Sequence, residues 1–280
     1  LKLLHGGDAS CIFKKPKCVS SQSQEALPFG LTLSITLLFL AHPLNTEAVC
    51  YLSSRSDLMV SFFILSGLIC YFHRYFFLAF LAYLCGLLTK ETALVFPLLL
   101  FALHLIFYRN TTPISKEARQ RIIFFYIALA GISIVYWLYR GMIFSPMAQE
   151  AGIAPIINPP RGIWPNILTQ SAVTLFYLRL FLWPQPLTIH HNFPILHSLS
   201  DPRAFLSISA IIFLIILGFV LRKNRPLLVF GLAWYLICLI PKFYAPLHIV
   251  AAEHHFYLPS FGIYLILAVL SHTMYIKHRR

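Results

Sequence analysis

The stretch His42-Pro43-Leu44-Asn45-Thr46-Glu47-Ala48-Val49, with Ser54-Arg55-Ser56-Asp57 close behind it, decides how this chain is read. It sets a histidine, two acids and an arginine between apolar runs at roughly 28–41 and 57–72. Runs of this kind approach the ~20 apolar residues that cross a bilayer. Charge at the edge of lipid is expensive and is usually kept for a reason. The stretch therefore reads as a place where a membrane protein meets a charged substrate.

Composition agrees. The chain has 280 residues, 59% hydrophobic and 15% aromatic, and only 11% are charged. Its mean hydropathy is +0.75. A soluble domain carries about a quarter charged residues, so an all-α, multi-pass membrane bundle is expected. The net charge of +13 does not require nucleic acid, because membrane proteins concentrate Lys and Arg in cytoplasmic loops, and no nucleic-acid partner is expected. The six cysteines lack zinc spacing, and Cys70, Cys85 and Cys238 fall inside apolar runs as small core residues. There is no Walker loop, no GxGxxG, no Ser/His/Asp signature and no repeat of 20–50 residues.

Further apolar runs lie at roughly 75–88, 92–108, 122–139, 205–221, 226–241 and 263–276. Basic residues sort the ends. The segment 1–27, the turns 72–75 and 222–225, the loop 109–121 and the tail 277–280 together hold 15 of the 22 Lys and Arg residues. The positive-inside rule puts all five in the cytoplasm, and about eight spans connect them with both ends inside. Residues 1–27 are then a basic cytoplasmic segment, 28–276 a transmembrane domain and 277–280 a basic tail. The sequon Asn110-Thr111-Thr112 falls on the cytoplasmic side and reads as incidental. A further run, 164–183, would reverse a basic loop if it crossed. Within an outer loop of about 140–204 it is expected as an interfacial helix, with Pro165 near its start, Trp164 and Trp183 at its ends and Arg179 within it. On hydropathy alone it is a ninth span.

The outward segments 42–56, 89–91, 140–204 and 242–262 mix both signs of charge and, counting Asp57, hold six of the nine acids. Four constellations stand out there. In the first, Glu47 and Arg55 are eight residues apart, about two helical turns, and would share a face of one short helix beside His42 and Asp57. The alternative is a structural ion pair where Pro43 ends a span. In the second, Thr89-Lys90-Glu91 sits between two apolar runs, where a Lys must snorkel or hold an anion. The alternative is a Lys–Glu pair closing a hairpin, with Thr89 as N-cap. The third is His190-His191 with His197 and Asp201-Pro202-Arg203, either a metal site or an irregular Pro-rich loop. The fourth, Glu253-His254-His255-Phe256-Tyr257, could face the same cavity or form an aromatic belt.

Taken in order, these motifs resemble the membrane part of the TMTC-like family. Its members are GT-C fold glycosyltransferases, similar in architecture to protein O-mannosyltransferases and often carrying C-terminal tetratricopeptide repeats. The matching pieces are His42-Pro43 with Thr46-Glu47-Ala48-Val49, then Ser54-Arg55-Ser56-Asp57, then Leu88-Thr89-Lys90-Glu91-Thr92 and Pro97. Tyr177-Leu178-Arg179-Leu180 with Leu182-Trp183-Pro184, and Glu253-His254 with Tyr257-Leu258-Pro259-Ser260, complete the series. The resemblance covers roughly residues 28–270.

The resemblance implies a GT-C-like bundle that passes a sugar from a polyprenyl-phosphate donor to a protein, lipid or glycan acceptor on the outer face. Arg55, Lys90 and Arg140 are then expected at the lipid phosphate. His42, Glu47, Asp57, Glu91, His191, Glu253 and His254 are expected to orient sugar or acceptor. His191 and His254 could alternatively hold a divalent metal, although no metal ligand set is assigned. The family's key acid lies in the first outer loop, which would precede Leu1, so the chain is expected to be a fragment lacking its catalytic carboxylate. The region around His190-His191 and Glu253-His254-His255 resembles bacterial members, which favours a bacterial inner membrane over the endoplasmic reticulum. The competing expectation is a noncatalytic scaffold or assembly subunit that keeps a GT-C-like body.

Overall fold

A computed structural model describes residues 29–107, 116–150, 161–189, 191–244 and 249–278. The segment 1–27, Arg109, the sequon at Asn110, His190 and the tail residues Arg279 and Arg280 lie outside the described residues, and so does the side chain of Glu150. Among the described residues the chain is helical with no strand.

Each break in the helices follows from a local cause. Helix α1 (Phe29–Ala41) stops before Pro43, whose ring cannot continue the hydrogen-bond ladder. The chain bends by 56° into the segment Pro43–Cys50, which contains α2 (Thr46–Cys50). Tyr51 is extended and ends α2; a 3-10 turn at Leu52–Ser54 then leads into α3 (Arg55–Phe72). Arg74, at φ 62°, turns the chain into α4 (Phe76–Thr89). Extended Lys90 and the turn Glu91–Leu94 precede α5 (Val95–Phe107). Then come α6 (Lys116–Glu150), α7 (Ile163–Leu182) and α8 (Pro202–Leu221). Asp201 caps α8 by accepting the Arg203 N–H at 2.8 Å, with Pro202 at the first helical position. Helix α9 (Pro226–Tyr244), a 3-10 turn at Glu253–Phe256 and α10 (Tyr257–His278) follow.

Among the described residues, five helical stretches are long and apolar enough to cross a membrane: Leu52–Phe72, Lys116–Arg140, Pro202–Leu221, Pro226–Tyr244 and Glu253–His278. The bent pair Phe29–Ala41 with Pro43–Cys50 makes a sixth if it is one span. Length and composition thus support five or six full crossings, against the eight expected. The difference lies in short elements: α4 has 14 residues and α5 has 13. At 1.5 Å per residue these reach about 20 Å, short of a hydrocarbon core of about 30 Å.

Helix α9 is the hub. Trp234 and Cys238 face one buried cluster, formed by Val60, Ile64, Tyr83, Phe96, Leu99 and Leu129. Tyr235 and Leu239, one residue further round the helix, face a second cluster with Val173, Tyr177, Phe256 and Tyr264. Of the cysteines expected in the core, Cys238 is buried and Cys70 and Cys85 are half-buried. Buried polar atoms in such a bundle must find partners inside it. Trp234 Nε1 donates to the Leu258 carbonyl at 2.9 Å, and the Tyr83 hydroxyl meets Ser133 Oγ at 2.7 Å.

The connectors sort into two ends. Arg225 reaches Thr273 on the last turns of α10, so the turn after α8 and the end of α10 lie together. At the opposite end the connectors 42–56, 89–91 and 249–256 converge, as described below. Helix α7 is tied to that end and, through the Tyr235 hydroxyl on the Thr174 carbonyl, to the middle of α9. Its polar bonds run from Asn166 to the carbonyls of Lys242 and Phe243, from Gln170 to Val250, from Tyr177 to Ala252 and from Phe181 to His42. Arg179, Trp164 and Trp183 are exposed, while Asn166, Leu168, Val173 and Tyr177 are buried.

Helices α9 and α10 touch through glycine. A Cβ on Gly231 would sit 2.6 Å from the Gly262 carbonyl oxygen, and one on Gly262 would collide with the Gly231 carbonyl. Small residues let backbones approach closely in membrane bundles. Gly231→Ala and Gly262→Ala should each lower stability by about 1–3 kcal/mol, seen as earlier thermal unfolding in detergent. Gly131, with nothing within 4 Å of its added Cβ, is the control, and Gly131→Ala should leave stability unchanged or raise it.

Candidate functional site

The converging end holds a buried polar cluster assembled from distant parts of the chain. Glu47 lies on α2, a single turn set at a steep angle to α1. Its carboxylate accepts the His254 backbone N–H at 2.9 Å on Oε2, and Oε1 lies 2.7 Å from His254 Nδ1. Both oxygens are thus engaged by one residue 207 positions away, with both side chains largely buried. This contact joins the first described break to the start of the last helix.

Glu253 makes a second center beside it. Its Oε1 accepts the Thr188 N–H at 2.6 Å. His191 Nε2 approaches the same oxygen at 3.3 Å but is out of line for a hydrogen bond, so the contact is one of proximity. His191 is held by its own N–H on the Ala251 carbonyl, by Thr188 Oγ1 at 3.2 Å and by the edge of Phe176. Burial pushes the His191 imidazole below its ordinary range, against the opposing pull of the Glu47 carboxylate. Beneath both centers the buried Tyr177 hydroxyl donates to the Ala252 carbonyl at 2.9 Å and receives the Ala252 N–H at 3.2 Å.

The third center is cationic. Lys90 Nζ pairs with Asp57 Oδ2 at 2.6 Å, mostly out of solvent. Arg140 Nη1 pairs with Glu91 Oε2 at 2.8 Å, half-exposed, and also reaches Tyr136. Lys242, only 8% exposed, lies within electrostatic reach of Lys90, Asp57 and Glu91. His255 in turn lies within reach of Lys242, His254 and Lys90.

Several expectations need correction against these positions. Glu47 and Arg55 do not share a helix, because extended Tyr51 separates α2 from α3. Glu47 turns inward to His254, whereas Arg55 is exposed. His42 is a structural anchor: Nδ1 accepts the Leu44 N–H at 3.2 Å, so Nε2 is the nitrogen that donates to the Phe181 carbonyl at 3.0 Å. Its ring stacks on Phe181 at 4.8 Å. Thr89 caps no helix; its hydroxyl bonds back to Cys85. Asp201 belongs to the cap of α8. Glu47, Asp57, Lys90, Glu91, Arg140, His191, Glu253 and His254 do gather at one end. His191 and His254 address different carboxylates, and among the described residues no three His, Cys, Asp or Glu side chains could share a metal ion.

Sequence reasoning missed Lys242 as a site residue, and named His255 only as part of the fourth constellation. The signal was there for the lysine: Lys242 ends the apolar run 226–241 just after Pro241, and the argument applied to Lys90 covers it equally.

No protein-family model, curated protein or solved structure matches the chain. The chemistry of this cluster therefore rests on its own geometry.

Removing the His254 ring leaves a buried carboxylate short of a donor, which costs about 1–3 kcal/mol. His254→Ala and Glu47→Gln should each destabilise the protein by about this amount. Because they break the same contact, the double variant should lose clearly less than the sum, measured by unfolding in detergent. Strict additivity would show that the two side chains do not interact.

Proposed function

We propose that this protein is a membrane glycosyltransferase of GT-C type, similar to TMTC-like and protein O-mannosyltransferase enzymes. It moves a sugar from a polyprenyl-phosphate donor to a protein, lipid or glycan acceptor on the outer face, in a bacterial inner membrane or, alternatively, the endoplasmic reticulum. The observation that carries this reading is the mixed-charge cluster of Glu47, Asp57, Lys90, Glu91, Arg140, Glu253 and His254 at one end of an apolar helical bundle. A lipid-borne, phosphate-linked sugar needs an apolar path for its tail beside a charged site for its head. Exposed apolar side chains on α6 and α8 supply surfaces of the first kind.

In the reaction the bond between the sugar's anomeric carbon and the phosphate oxygen breaks, and its electrons pass to the phosphate. A new bond forms to the acceptor oxygen, whose proton goes to a base. Fixed cations in a water-poor site stabilise the charge on the leaving phosphate. Lys90 and Arg140 take that role, each oriented by the acid it pairs with, while exposed Arg55 becomes a peripheral contributor. Glu47, Glu253, His191 and His254 line the sugar and acceptor side. By the family resemblance, the base is an acid carried by an outer loop.

One observation favors a second reading, a noncatalytic GT-C-like scaffold. Both oxygens of Glu47 are consumed by His254, and Asp57 and Glu91 each hold a cation. A cluster so engaged also serves purely to staple the connectors.

The two readings separate in one assay: sugar transfer from a polyprenyl-phosphate donor in proteoliposomes holding the full-length protein. On the transferase reading Lys90→Met should lower turnover about a hundredfold or more. Arg140→Met should lower it less, because its pair is half-exposed, and Arg55→Ala should change it little. Absence of transfer by a well-folded full-length protein, across donor sugars, would favour the scaffold.

A further inference from the structure

We infer that Lys242, together with Lys90, holds an oxyanion of the phosphate class. Lys242 lies on the last turn of α9 with 92% of its surface covered, since 8% is exposed. Its ammonium forms no ion pair among the described residues. The two acids within its electrostatic reach, Asp57 and Glu91, are already committed at 2.6 and 2.8 Å to Lys90 and Arg140. The nearby ionisable groups besides those acids are Lys90 and His255, which add like charge or none. An unpaired ammonium on a side chain this covered is costly, and a second ammonium within reach makes it more so. An anion seated between Lys242 and Lys90 removes both costs at once.

The position of this lysine is fixed by the fold. Asn166, fully buried on α7, donates its side-chain amide to the carbonyls of Lys242 and Phe243 at 3.0 and 2.7 Å. Arg161 in turn holds the Asn166 oxygen at 2.9 Å. The backbone of Lys242 is pinned to α7 while its side chain is left without an acceptor.

The donor set matches a many-oxygened ligand better than a halide or a single carboxylate. Two ammonium groups, with the His255 ring within reach of both, suit an anion with several acceptor oxygens and at least one negative charge. The anion site stands on Lys242 itself. Its source as a lipid-borne phosphate rests on the transferase reading above.

The test uses the whole chain in detergent, with inorganic phosphate as one probe and a polyprenyl phosphate in nanodiscs as the other. Phosphate should raise the unfolding temperature of the unaltered protein in a dose-dependent way. Lys242→Met should weaken binding at least about tenfold, whereas Lys242→Arg should stay within about threefold of the unaltered protein. Unfolding of Lys242→Met without ligand should come no earlier than that of the unaltered protein, which confirms that the variant folds. Lys242-dependent binding of polyprenyl phosphate alone assigns a lipid source, and equal binding of both probes assigns the phosphate group itself. Unchanged binding of both probes by folded Lys242→Met would overturn the inference, even with sugar transfer intact. Lys242-dependent binding without any sugar transfer keeps the anion site and removes the transferase reading.

Discussion

The carboxylate of Glu47 is the fixed point of this bundle. In a chain so apolar, every buried polar atom must find its partner within the protein, and Glu47 finds both of its partners on one residue near the far end of the sequence. That bond holds the bent entry Pro43–Cys50 against the turn Glu253–Phe256 that opens α10. With those two connectors together, Tyr177 can close on Ala252 and His191 on Ala251. The packing beneath is ordinary apolar burial around α9. What selects this arrangement of the connectors over looser ones is the need to satisfy a few buried charges.

That need also explains how much was legible in the sequence. The sorting of connectors into two ends could be read directly, because basic residues and mixed-sign residues fall in alternating gaps between apolar runs. The gathering of Lys90, Glu91, Asp57, Glu253 and His254 at one end follows from that sorting. The number of crossings was less legible. A hydropathy run does not show where Lys90 turns extended or where the Glu91–Leu94 turn begins, and these shorten α4 and α5. The pairing of Glu47 with Arg55 assumed an unbroken helical period, and extended Tyr51 breaks it. The partner of Glu47 lies 207 residues away, a separation at which no local pattern carries information.

His42 shows the same limit from the other side. Beside a proline and near an acid it reads as a functional histidine, yet both ring nitrogens and the ring face are spent on holding the α1 exit against the end of α7. Its residue type and position suit either role, and only the geometry tells them apart. Lys242 is the reverse case, a site residue that passes in sequence for the polar end of a helix.

The treatment of Lys242 is what distinguishes this end from a simple staple. A staple would pair every charge, as Glu47 with His254 and Asp57 with Lys90 do. Instead the fold spends good interactions on fixing a lysine that has no acceptor. Pro241 removes one rung of the α9 ladder just before it. Asn166 then covers the carbonyls of Lys242 and Phe243, and Arg161 braces Asn166. A leucine at this position would remove the uncompensated charge and suit the apolar surroundings. Places where a fold breaks its own local rules at a cost are those where function, not stability, chose the residue. By that standard Lys242 is the residue here that stability alone explains least.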